Sequence, residues 1–154
     1  MDSRDEMEKS FIGIYDKFKL MFYKGIFGVV KEREGSLSAM EAFSLEVINM
    51  LDKPTISRFA EFLSISQSNA TYKVNSLIKK GYIERENSAT DRREYHLVLS
   101  EKYRKYIGIM SSYEDKVADR IRDRFSDEEI SRFTEMLKTI SEELMPECDG
   151  ISEP

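Results

Sequence analysis

"TISRFAEFLSISQSNATYKVNSLIKKGYIERENSATDRREYHLVLSEK", residues 55–102, changes its hydrophobic period as it runs, and those changes decide the fold. Thr55 follows the helix-breaking Pro54 and is placed to cap a short helix with Ile56, Phe59, Ala60 and Leu63 on one face. Ser66 caps a second helix, whose apolar face is Ala70, Val74, Leu77 and Ile78. That helix stops at Gly81, the residue that most readily takes the left-handed conformation at a helix end. Ser68, Asn69, Tyr72, Asn75, Ser76 and Lys79 fall on the opposite face, which is rich in hydrogen-bonding groups and poor in carboxylates. "YIERE" and "EYHLVL" then read as two strands, and "NSATDR" between them is turn chemistry, so the segment closes as a hairpin with a protruding tip.

Working outward, Phe11, Ile14, Tyr15, Phe18, Met21, Phe22, Ile26 and Val29 recur at spacings of three and four and predict a long first helix with a wide apolar stripe. Ser38 followed by Glu41 is a capping box, opening a helix that carries Phe43, Val47, Ile48 and Leu51 and ends near Asp52. Beyond Ser100 the same spacing joins Tyr103, Tyr106, Ile107, Met110, Tyr113, Val117, Ile121 and Phe125 into one helix. Ser126 and Glu129 open a last helix, running to about Met145, with three acids at its positive end. Only the first few and the last eight or so residues are expected to be disordered.

Composition narrows the class. A chain of 154 residues supports one domain with a sizeable core. High charge with few Gly and Pro favours long helices. No apolar run approaches the ~18 residues that would span a bilayer, so a soluble, cytoplasmic protein with no membrane partner is expected. His96 is the single histidine and Cys148 the single cysteine, which leaves no zinc-ligand set, no internal disulfide and no metal or cofactor site to assemble. The same scarcity argues against an enzyme, since neither a nucleophile with its base nor a glycine-rich phosphate loop is found. The net charge of -5 hides an uneven distribution. Residues 66–105 hold nine Lys and Arg against five Asp and Glu, a basic middle between acidic flanks. Such a chain can offer one face to a polyanion and stay soluble elsewhere.

Two short helices joined by a tight turn, the second with a polar outer face, followed by a basic-tipped hairpin, describe a winged helix-turn-helix. The segment resembles the MarR-type winged-helix transcriptional regulators, most specifically in "LIKKGYIER" at 77–85 and "DRR" at 91–93. The long first helix, the capped second and "FSDEEISRFTEMLKTI" resemble that family's dimerisation helices, so the likeness covers nearly the whole chain. The implied architecture is mainly α with a small antiparallel β-hairpin: a single domain, 1–154, in which a winged helix-turn-helix at 53–100 is flanked by a helical dimerisation region at 1–52 and 101–146. The apolar stripes exceed what a small DNA-reading core can cover, so they predict a homodimer, with an intramolecular bundle as the alternative.

Function follows from the resemblance as an expectation: a sequence-specific regulator of double-stranded DNA, acting as a repressor on a pseudo-palindromic operator. The alternative is a winged-helix docking module that contacts protein instead. Gln67, Ser68, Asn69 and Tyr72 are the candidates for base edges in the major groove. Lys73, Lys79, Thr55 and Arg92 are candidates for phosphates, with Arg92 equally able to be merely solvated. The family's wing pattern, an Asp two residues before an Arg, maps onto Asp91 and Arg93. Arg93 would probe the minor groove, and Asp91 would orient the loop by pairing with Arg85 or Arg93. Relatives respond to small lipophilic or aromatic effectors. Phe18, Phe22, Phe43, Tyr106 and Met110, together with Phe27 and Tyr113, would either line such a pocket or form plain core. Three residues depart from the family pattern: Tyr72 stands where a basic residue is common, Ser64 where a turn Gly is frequent, and Tyr103 where another Gly is frequent.

Overall fold

Most helices of the chain start with a short polar side chain folded back onto its own backbone, which satisfies an amide that the helix cannot. The computed structural model describes residues 2–30, 36–110 and 113–151, apart from the side chains of Val29 and of residues 107–110. Asp2 caps α1 (Ser3–Val29), and Asp5 and Glu6 stand in its first turn, where carboxylates oppose the helix dipole. The chain is therefore helical from Ser3, where disorder was expected for the first few residues. α2 (Ala39–Met50) opens with both halves of the Ser38–Glu41 capping box, and Thr55 caps α3 (Ile56–Leu63). Ser66 caps α4 (Gln67–Lys79).

Both helices of the turn motif end alike. Ser64 takes a left-handed φ of 54°, and the amides of Ser64 and Ile65 return to the carbonyls of Glu61 and Ala60. At the end of α4, Gly81 has φ 82°, and the amides of Gly81 and Tyr82 reach Ile78 and Leu77. This pairing satisfies the last carbonyls and turns the chain sharply. Gly81 does so without strain, whereas a serine in that region costs about 1 kcal/mol or more.

β1 (Ile83–Asn87) and β2 (Tyr95–Leu99) pair antiparallel, with Ile83 opposite Leu99 and Asn87 opposite Tyr95. The segment before α3 adds to the hairpin's edge: Thr55 bridges His96, and the Leu97 amide donates to Pro54 O at 2.8 Å. To reach it, Asp52 and Lys53 both take positive φ, 50° and 53°. α5 (Glu101–Met110), α6 (Tyr113–Arg124) and α7 (Asp127–Glu143) follow, then a 3₁₀ turn at Pro146–Cys148. α5 and α6 occupy the stretch expected as one helix. Residues 111 and 112, where they would join, lie outside the described residues.

The core belongs to the middle of the chain. Phe59, Leu45, Ile48, Leu77, Ile83, Leu97 and Val74 are fully buried, and Tyr103 and Tyr106 of α5 pack into the same cluster. The outer helices are unlike this. α6 and α7 have no buried residue, and Met7, Phe11, Ile14, Tyr15 and Leu20 of α1 face solvent. Phe27 is 83% exposed.

Candidate nucleic-acid interface

The N-terminal turn of α4 is organised by Ser66. Its hydroxyl accepts from the Asn69 amide at 3.2 Å and lies 3.2 Å from the Ser68 hydroxyl. The Gln67 side chain accepts from the Ser57 hydroxyl of α3 at 3.4 Å, and the Thr71 hydroxyl donates to the Gln67 carbonyl. Gln67, Ser68, Asn69 and Tyr72 are all exposed on this turn and the next, Tyr72 by 77%. Lys79 is exposed and Lys73 half-buried. Asn69 and Tyr72 lie one helical turn apart, so they share a face. Ser76, expected on that outer face, instead turns inward: its hydroxyl donates to Glu41 Oε1 at 2.7 Å. A carboxylate of α2 lies within its reach, which periodicity within α4 alone does not reveal.

Glu41 therefore serves two roles. Besides closing the capping box through the Ser38 amide at 2.8 Å, it accepts from Lys80 Nζ at 2.7 Å and 3.0 Å. Burial pushes its carboxyl upward, but the bonds from Lys80, the Ser38 amide and Ser76 outweigh burial and hold it at about 2. Lys80 Nζ also donates to the Ser36 carbonyl, so the start of α2 is tied to the end of α4. The capping box was legible in sequence; the tie was not, because its partners stand far apart in the chain.

The wing tip is built from small polar side chains. The Ser88 hydroxyl accepts from the Thr90 and Asp91 amides, the Ser88 amide donates to the Glu94 carbonyl, and Asp91 Oδ1 accepts from the Arg93 amide at 2.9 Å. Of the two residues expected to pair with Asp91, Arg93 is the one it bonds, through the backbone amide. The carboxylate binds the backbone of Arg93, because an Asp two residues ahead of an amide closes a local turn at no cost in long side-chain entropy. Arg85 is engaged elsewhere. Its guanidinium donates to Asn75 Oδ1 of α4 at 3.0 Å and lies 4.5 Å from the Tyr95 ring centre, joining β1, β2 and α4. Arg92 and Arg93 are exposed and form no ion pair among the described residues. Arg93 and Thr55 line one shallow cleft with Ser57, Gln67, Thr71 and Tyr95, so the wing root and the start of both helices meet there. Thr55 Oγ1 accepts from the Arg58 amide at 3.1 Å, leaving its own proton available to donate.

The residues expected around an effector separate into packing pairs. Phe22 meets Phe43 between α1 and α2 at 6.0 Å, and Phe18 meets Tyr113 edge-on between α1 and α6 at 5.9 Å. Tyr106 is buried with Tyr103 and Tyr82. The Met110 side chain lies outside the described residues. The Tyr103 hydroxyl donates to Glu46 Oε1 at 3.0 Å. Burial raises the Glu46 carboxyl, the Tyr103 bond opposes that rise, and the charge of Glu114 adds to it. The Tyr106 hydroxyl is buried with no hydrogen-bond partner among the described residues. Burial, then the charge of Glu46, then Tyr82 push it up to about 12.

Comparison with known proteins returns one family and one fold. Residues 36–94 match the family model described as MarR family. Streptococcus pneumoniae FabT, solved in complex with DNA, is 25% identical with a TM-score of 0.60, over 92% of this chain and 97% of that one. A MarR-like transcriptional regulator from Thermotoga maritima is 26% identical with a TM-score of 0.57, over 94% and 97%. A MarR family protein from Bacillus stearothermophilus, 19% identical, shares the fold with a TM-score of 0.62 over 94% and 98%. No curated protein matches the chain by sequence. No helix among the described residues is long and apolar enough to cross a membrane.

Proposed function

We propose, from the match of residues 36–94 to the MarR family model, that the chain is a sequence-specific, non-catalytic DNA-binding transcriptional regulator that acts as a homodimer. The observation that carries this reading is the exposed, carboxylate-free first turns of α4 standing beside a wing whose Arg92 and Arg93 form no ion pair among the described residues. Amides and hydroxyls at Gln67, Ser68, Asn69 and Tyr72 suit base edges in the major groove, where Asn and Gln pair with adenine through two bonds. Lys73, Lys79, Arg92 and the Thr55 hydroxyl suit phosphates, which set register without reading sequence. Arg93, its backbone held by Asp91, suits the narrow minor groove, where negative potential is concentrated. Arg85 holds the wing against α4 through Asn75 and Tyr95, so both groove contacts keep one relative position. The FabT structure with DNA, similar over nearly its whole length, supports the same use of this fold.

The homodimer is supported by the apolar faces of α1 and α7, which their own chain leaves uncovered. Twofold symmetry would set two α4 helices about 34 Å apart, one turn of DNA, and so require a pseudo-palindromic operator. Bound there, the dimer excludes other proteins from the site and acts as a repressor in the cytoplasm. A small lipophilic or aromatic ligand wedged between α1, α2 and α5, near Phe22, Phe43 and Tyr106, would alter the spacing of the two helices and release DNA. Arg93→Ala and Asn69→Ala should each abolish operator-specific binding in a gel shift, with a dimeric mass by light scattering retained. Wild-type binding by both variants would show that the groove contacts are misassigned, and a monomeric mass at micromolar concentration would remove the dimer.

A further inference from the structure

Past α7 the chain turns back onto the DNA-reading unit. After the 3₁₀ turn at Pro146–Cys148, the Arg58 guanidinium of α3 donates to the carbonyls of Gly150 and, at 2.9 Å, of Ile151. Ile151 is half-buried, so this stretch is seated rather than trailing. Arg58 stands in the first turn of α3. It is next to Ser57, which reaches Gln67, and three residues from Thr55, which shares a cleft with Arg93. The segment that lands there is strongly one-signed: residues 142–154 contain five acids and no Lys, Arg or His, with Glu147 and Asp149 inside the seated stretch.

One guanidinium nitrogen, Nη2, donates to both backbone oxygens, as it can to the oxygens of a phosphate, while Nη1 lies 3.9 Å from Glu61 Oε2 of the same helix. We propose that the α3 surface bearing Arg58 is a polyanion-binding surface, whose resting occupant is the chain's own acidic C-terminal tail and whose competing occupant is the DNA backbone. The competition with DNA rests on the functional reading above. Tethering supplies the tail at about millimolar effective concentration, so two hydrogen bonds, one exposed and one part-buried, suffice to keep the surface occupied. Duplex DNA must displace the tail before its phosphates approach Arg58, and until then Glu147 and Asp149 repel them. The tail thereby lowers affinity for any duplex, most strongly at low salt, where charges are least screened.

Cys148 is the chain's one cysteine and is exposed, so a nitroxide placed on it reports the tail in the full-length protein. An immobilised spectrum is expected for the otherwise unchanged chain, sharpening in Arg58→Ala and on addition of a DNA duplex. Glu147→Gln with Asp149→Asn, both at exposed positions, should raise affinity for a random-sequence duplex about fivefold at low salt, the gain vanishing at high salt as screening removes it. Duplex binding that leaves the spectrum unchanged, or an acid-to-amide variant that binds like the original chain, would overturn the competition. If no duplex binds at all, the DNA-binding reading fails instead. Heparin then replaces DNA as the probe: sharpening by heparin retains the polyanion surface, and an unchanged spectrum removes it.

Discussion

Glu41→Gln isolates the tie between α2 and α4. In the folded chain this carboxylate accepts from Lys80, Ser76 and the Ser38 amide, and is held at about 2 against an ordinary 4.5. At about 1.4 kcal/mol per pH unit, that difference corresponds to about 3 kcal/mol of folding stability at neutral pH. Solvent still reaches the pair, and Gln keeps one carbonyl oxygen, able to accept from either the Ser38 amide or Ser76, which bond different oxygens of Glu41, so the expected loss is about 2 kcal/mol. The direction with pH follows from a depressed carboxyl: its stabilisation is complete above 4.5 and is lost as pH falls from there toward 2. Thermal unfolding followed by circular dichroism, at fixed protomer concentration, should place Glu41→Gln about 4–8 °C below the unchanged chain at pH 7. That gap should narrow steadily below pH 4.5. Equal melting at pH 7, or a gap that persists undiminished at pH 3, would refute the claim that this ion pair holds the end of α4.

Ser64→Gly should stabilise the fold by about 1 kcal/mol, read as a higher urea midpoint at unchanged slope, because Ser64 occupies left-handed backbone at φ 54°. Tyr106→Phe removes a buried hydroxyl that has no partner among the described residues and should leave stability equal or up to about 1 kcal/mol higher. Tyr103→Phe strips the donor from a half-buried Glu46 and should cost about 1–3 kcal/mol, both compared by urea unfolding. Arg85→Ala should speed amide exchange in residues 88–94 and weaken duplex binding while changing unfolding free energy by no more than about 1 kcal/mol, since its contacts are exposed.

What the sequence disclosed was whatever acts within one turn of its own position. Thr55, Ser66 and Ser126 cap the helices they were expected to cap, and Gly81 ends α4, because each bonds backbone a few residues away. Alternation brought Ile83 and Leu97 into the core for the same local reason. Long-range partners were the part that could not be read. Ser76 lies on α4's outer face by periodicity until Glu41, from another helix, draws it inward. Arg85 is one of two partners expected for Asp91, yet it bonds Asn75 of α4 and lies over the Tyr95 ring of β2. The left-handed step at Asp52 and Lys53 is likewise dictated by pairing with β2 rather than by those two residues. The tail's seat on Arg58 joins positions 58 and 150, which no local pattern connects.

The central claim is that a twofold pair of α4 helices and wings reads a specific operator. Selection of duplexes bound by the full-length chain from a random library tests it most directly. Recovery of an inverted repeat with half-sites one helical turn apart, flanked by positions whose preference disappears in Arg93→Ala, is the result this account predicts. Absence of any enriched sequence, from a chain that is folded and dimeric, would contradict it and turn attention to the winged helix as a protein-docking surface.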